Sequence, residues 1–99
     1  MAVMSIVGAK IAPDRHEDVR RAYTEMVGRG LPPAIRETFL LSAKDGTMAI
    51  ATVWASQEDL DVVRSSPEEP FARRVLREAG GNPRAEFFDV VAEAPDDRP

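Results

Sequence analysis

The sequence contains no cysteine and only one histidine. Disulfides, thiolate metal sites and cysteine nucleophiles are thereby excluded, and a single imidazole cannot found a transition-metal constellation, so no metal site is expected. Aromatic residues make up only 6% of the chain, with Trp54 the sole tryptophan and Tyr23 the sole tyrosine. Positive charge is not in excess: 13 basic residues against 17 acidic ones leave a formal charge of -4. No global field draws such a chain to a phosphate backbone or to anionic lipid, so neither nucleic acid nor a membrane is an expected partner. Long apolar runs are missing too. Nothing approaches the roughly 18 residues of a membrane span, and MAVMSIVGAK has no basic segment ahead of a long apolar one. A cytoplasmic location is the expectation. The excess of arginine over lysine, 11 to 2, is read as compositional bias.

What is present suits one small domain. Ninety-nine residues, 43% of them hydrophobic, can form a single core. A chain this short buries only about 60–65% of its unfolded surface, so a partner surface is expected to contribute to stability. Residues 1–93 are read as the domain and 94–99, which lack apolar residues after Ala94, as a disordered tail.

Val3 to Ile11 is rich in β-branched residues and is closed by Pro13, which predicts a first strand. Asp14 is placed to cap a helix, with Glu17 three residues on, and Val19, Ala22, Tyr23, Met26 and Val27 form its apolar stripe. Gly28, Gly30 and Pro32-Pro33 stop it. Ile35–Ala43 and Thr47–Trp54 flank Lys44-Asp45-Gly46, and Asp-Gly predicts a hairpin. A two-residue loop of Asp45 and Gly46 sets Leu41 opposite Ile50, Phe39 opposite Thr52 and Glu37 opposite Trp54 on one face; a one-residue slip exchanges the faces. Ser56 is an N-cap, and Ser66-Pro67 restarts helix, with Phe71, Ala72, Val75, Leu76 and Ala79 inward and Arg73, Arg74 and Arg77 outward. Gly80-Gly81-Asn82-Pro83 ends that helix, and Arg84 to Ala92 is the last strand.

The order β-α-β-β-α-β predicts an α+β, ferredoxin-like four-stranded antiparallel sheet with its helices on one face. The other face, with Leu40, Ala49, Ala51 and Val53, is too apolar for water and has no third helix to cover it. A homodimer joined through sheet faces is the expected solution.

The stretch Trp54, Ser56, Glu58-Asp59, Leu60 and Ser66-Pro67 resembles the antibiotic biosynthesis monooxygenase-like domains of the dimeric α+β barrel superfamily. The resemblance implies a homodimer with a shared barrel and a pocket in each subunit between sheet and helices. It also implies a small hydrophobic or aromatic ligand and, in some members, oxidation of phenols or quinols with dioxygen and no cofactor. The polar positions of such members are not kept: Ile50, Ala55 and Val63 stand where relatives often carry Asn, Glu and His. A non-catalytic ligand-binding or regulatory barrel is therefore the alternative.

Glu37 shares the expected pocket face with Trp54, and a carboxylate buried there would take a phenolic proton; His16, in the first turn of the first helix, is the other candidate base. Trp54, Tyr23, Phe39, Leu41, Ile50 and Val63 are the expected ligand contacts. Arg74, near where some relatives place a substrate arginine, is expected to point outward. An RNA-binding module of similar topology would need basic and aromatic side chains on its first and third strands, which offer one lysine and one tryptophan.

Overall fold

The computed structural model describes residues 2–94. Strands β1 (Val3–Lys10), β2 (Ile35–Ser42), β3 (Thr47–Trp54) and β4 (Arg84–Asp89) form one antiparallel sheet in the order β2-β3-β1-β4. Helix α1 (His16–Gly28) links the first two strands, and α2 (Gln57–Ser65) with α3 (Phe71–Glu78) links the last two. This is the ferredoxin-like α+β arrangement expected from the sequence. Of the expected tail, residues 95–99 lie outside the described residues; β4 ends at Asp89, and Val90 still donates its N–H to the Ala2 carbonyl.

Burial alternates strictly along β1: Val3, Ser5, Val7 and Ala9 are buried toward the helices, with Met4, Ile6 and Gly8 on the other face. The helix-side residues of β3 are their partners: Trp54 opposite Val3, Thr52 opposite Ser5, Ile50 opposite Val7 and Met48 opposite Ala9. The main core gathers Val7, Ile11, Val19, Ile50, Val75 and Leu76, and a smaller cluster joins Val3, Trp54 and Leu60 under α2. Val19 and Leu76 are fully enclosed, and truncating Leu76 to alanine costs about 2–5 kcal/mol.

Two helix starts differ from expectation. Asp14 lies in a 3₁₀ turn, Pro13–Arg15, and α1 follows it with no side-chain cap. Ser56 does cap α2, accepting the Asp59 N–H, whereas α3 begins only after Pro70, which lacks the N–H that a continuing helix would need. The end of α3 is a Schellman motif: Gly81 donates to Leu76 and Gly80, at φ 92°, donates to Arg77.

The hairpin departs from the two-residue loop. Ala43 pairs with Thr47 through its N–H, and Gly46 donates back to the Ala43 carbonyl, so Lys44, Asp45 and Gly46 all belong to the loop, with Gly46 at φ 93°. This is a type I turn continued by a left-handed glycine, the usual three-residue connection. The register therefore shifts by one: Leu41 faces Ala49, Leu40 faces Ile50 and Phe39 faces Ala51. The expected assignment of Glu37, Phe39 and Leu41 to the helix side is thus corrected, and Leu40 moves to the core. A bulge between Ile35 and Glu37 shifts the pairing again, so that Ile35 meets Trp54 while Thr38 meets Thr52.

The face away from the helices carries Met4, Ile6, Ala49, Ala51 and Val53 and is uncovered in one chain. Phe39, Leu41 and Phe88 stand on it between 44% and 47% exposed.

Candidate functional site

A cavity of about 740 Å³ opens between the helix side of the sheet and the helices. Three cross-strand neighbours form its floor. Thr38 on β2 lies opposite Thr52 on β3, and Thr52 lies opposite Ser5 on β1, so three hydroxyls run in a row across the sheet. Phe87 on β4, opposite Ser5, ends the row. Above and beside it, Ile50, Val7, Leu60, Val63 and Phe71 supply apolar wall.

The row is held by Trp54. Its indole Nε1–H donates to Ser5 Oγ at 2.9 Å in a buried setting, which fixes the ring at the end of β3 and leaves the Ser5 proton free to point elsewhere. Thr38 Oγ1 is buried and has no hydrogen-bond partner among the described residues. Such an orphaned hydroxyl costs on the order of 1–3 kcal/mol, which a ligand oxygen could restore.

Three arginines complete the lining. Arg29 follows α1, Arg64 lies on α2 with its guanidinium 4.4 Å from the centre of the Phe87 ring, and Arg73 on α3 donates from Nη1 to the Pro83 carbonyl at 3.3 Å. Arg73 therefore reaches the cavity rather than pointing outward, although α3 keeps the expected inward stripe of Phe71, Ala72, Val75, Leu76 and Ala79. Arg74 does not line the cavity; its guanidinium sits 5.9 Å from the Phe71 ring centre. Among the described residues no carboxylate and no imidazole lines the cavity. The acid nearest in sequence to its α3 wall, Glu69, accepts both Nε and Nη2 of Arg77, which holds the carboxyl below its ordinary range and raises the guanidinium. No group of three or more potential metal-ligating side chains occurs among the described residues.

Trp54, Ile50 and Val63 are brought together as expected. Tyr23 is not with them; it packs against the main core. His16 is bound by its Nε2 to the Ile11 carbonyl at 2.8 Å, so that nitrogen carries the proton, and the ring lies outside the cavity lining. Glu37, Phe39 and Leu41 are on the opposite sheet face for the register reason given above. Ser5 and Thr52 were findable from Trp54 by strand alternation once β1 and β3 are paired. Thr38 was hidden by the additional loop residue, and Arg73 by the sideways reach of its long side chain from the first turn of α3.

No protein-family model and no curated protein matches the sequence. Solved structures do match. A single-residue variant of SnoaB, a cofactor-independent oxygenase from Streptomyces nogalater, superimposes with a TM-score of 0.72 at 14% identity, over 96% of this chain and 98% of its own. Rv0793 from Mycobacterium tuberculosis gives 0.67 at 21% identity, covering 95% and 99%. A protein named only as antibiotic biosynthesis monooxygenase gives 0.65 at 16%, covering 91% and 99%. Among the described residues no helix is long and apolar enough to cross a membrane. With its strand order, its helix-side cavity and end-to-end overlap with these structures, the chain has the ferredoxin-like α+β fold of the antibiotic biosynthesis monooxygenase-like proteins.

Proposed function

We propose that this chain is a homodimeric small-molecule-binding protein that takes a hydrophobic aromatic molecule and oxidises a phenol or quinol to a quinone with dioxygen. The carrying observation is the cavity, apolar in its walls and with the Trp54 indole, three hydroxyls and three guanidiniums as its only polar side chains among the described residues. The fold likeness to SnoaB, described as a cofactor-independent oxygenase, supports the reaction class, and no cofactor is part of the proposal. In that reaction the substrate, bound as an anion after giving its proton to solvent, passes an electron to dioxygen, the two radicals combine, and loss of hydroxide, which regains the proton as water, leaves the quinone. Phenol and dioxygen thus become quinone and water. Apolar walls favour this by excluding bulk water from the radical pair. Neither His16 nor Glu37 is assigned a role, since neither lines the cavity.

Parallel aerobic and anaerobic assays with a panel of naphthols and quinols test the reading. Oxygen-dependent quinone formation that persists in Glu37→Gln and falls in Trp54→Ala is the expected result. A second reading, a non-catalytic binding module, is favoured by the missing carboxylate and imidazole. Ligand-dependent thermal stabilisation without product would establish it in place of the first.

The homodimer rests on the uncovered sheet face, on which Phe39, Leu41 and Phe88 stand half-exposed with no element of the chain packed over them among the described residues. Light scattering should give twice the chain mass, and Phe39→Asp should return the single-chain mass.

A further inference from the structure

We infer that the cavity takes an aromatic molecule that arrives already ionised, its anionic oxygen group at the arginines and its ring over the hydroxyl row. This deepens the binding reading above and rests on it.

Charge balance carries the first step. Arg29, Arg64 and Arg73 line one cavity, and no carboxylate lines it with them among the described residues. The ion pairs of the described residues lie elsewhere: Lys10 with Asp45, Arg15 and Arg21 with Asp18, Arg20 with Glu17, and Arg77 with Glu69. Guanidiniums remain charged at any working pH, so the cavity presents positive charge from the exposed Arg29 and Arg64 and the half-buried Arg73; Glu69 also acts on Arg73, but that carboxylate is bound to Arg77.

Position carries the second. Arg64 lies against the Phe87 ring, and Arg73 uses one N–H on the Pro83 carbonyl, so both heads are oriented while keeping further donors free. The third step concerns proton transfer. A neutral phenol would need a base in the cavity to become an anion, and the described lining provides none. A carboxylate or an acidic enol needs no base, because water has already taken its proton. The unpartnered Thr38 Oγ1 and the free proton of Ser5 then offer donors to a second ring oxygen.

The chemistry recognised is an anionic oxygen attached to a flat ring, whether carboxylate or enolate, and two probes separate these sources. Calorimetric titration compares 1-hydroxy-2-naphthoate with its methyl ester, and 2-hydroxy-1,4-naphthoquinone, an enolate at neutral pH, with 1-naphthol. At low salt the anions should bind about tenfold or more tightly than their neutral partners, the gap narrowing as salt rises. In Arg64→Gln/Arg73→Gln the naphthoate should bind no better than the ester. Preference shown by one anion alone assigns the source to that chemistry. Equal binding of anions and neutral partners in the unaltered protein overturns the inference while leaving the binding reading intact, and a preference that survives in the double variant also overturns it. If no probe binds, both fall. Should the double variant not fold, Arg64→Gln and the salt dependence of the unaltered protein decide.

Discussion

The Trp54 indole and the Ser5 hydroxyl meet at 2.9 Å across 49 residues of sequence, and this one side-chain bond ties the end of β3 to β1 at the cavity floor. Removing the acceptor leaves a buried N–H without a partner. Ser5→Ala should lower unfolding free energy by about 1–3 kcal/mol in a urea titration followed by tryptophan fluorescence. In a double-mutant cycle followed by circular dichroism, since Trp54→Phe removes the sole tryptophan, the combined Ser5→Ala/Trp54→Phe loss should fall short of the sum of the two single losses.

Thr38 makes the opposite case. Its hydroxyl is buried and unpaired, so Thr38→Val removes a desolvated group at nearly constant volume. The variant should be as stable as the parent or up to about 1 kcal/mol more so. The same change should weaken binding of oxygen-bearing aromatic probes, and a loss of stability instead would show that Thr38 Oγ1 is satisfied in solution.

Asp45 sets a pH signature. The Thr47 backbone N–H, then its hydroxyl, and then Lys10 hold the Asp45 carboxyl at about 2, against an ordinary 3.8. The folded pKa lies below the unfolded one, so the contribution is complete above pH 4 and is lost as the pH falls through 2. Thermal midpoints measured at pH 4, 3 and 2 should drop less in Asp45→Asn than in the parent.

Gly81 has no room for a side chain. A Cβ there would sit 2.7 Å from Ile11 Cδ1, 2.8 Å from Ala9 Cβ and 3.0 Å from the Leu76 carbonyl. Gly81→Ala should cost about 1–3 kcal/mol through overpacking of the core. Gly28, the last residue of α1, has nothing within 4 Å, and Gly28→Ala should stabilise by about 0.5–1 kcal/mol. Chemical denaturation of the two variants checks both signs.

The scaffold was legible because its signals are local and mutually consistent. Alternation along Val3–Lys10, the Asp45-Gly46 pair, the Ser56 cap and the glycines after Glu78 each depend on a few neighbouring residues, and each is present in the structure. The site was less legible because it depends on parity. One additional loop residue moved Glu37, Phe39 and Leu41 away from Trp54 and brought Thr38 to the cavity side, while the bulge after Ile35 set Ile35 itself opposite Trp54. Arg73 was misread for another reason: the inward stripe of α3 is as expected, but the long Arg73 side chain in its first turn reaches sideways to the Pro83 carbonyl and so to the cavity. Trp54, Ile50 and Val63 survived because they follow from elements whose phase was read correctly.

The Lys44–Gly46 loop has a consequence for how this cavity can diversify. Its length selects which half of β2 faces the helices: with three residues Thr38 meets the cavity and Leu40 the core, and a two-residue connection would present Phe39 and Leu41 in their place. A single-codon deletion there would exchange one row of side chains for another without altering any remaining residue. Descendants of such a chain would share nearly all of its letters and differ in the chemistry they contain, so gaps in an alignment at this loop would carry more functional information than the substitutions around it.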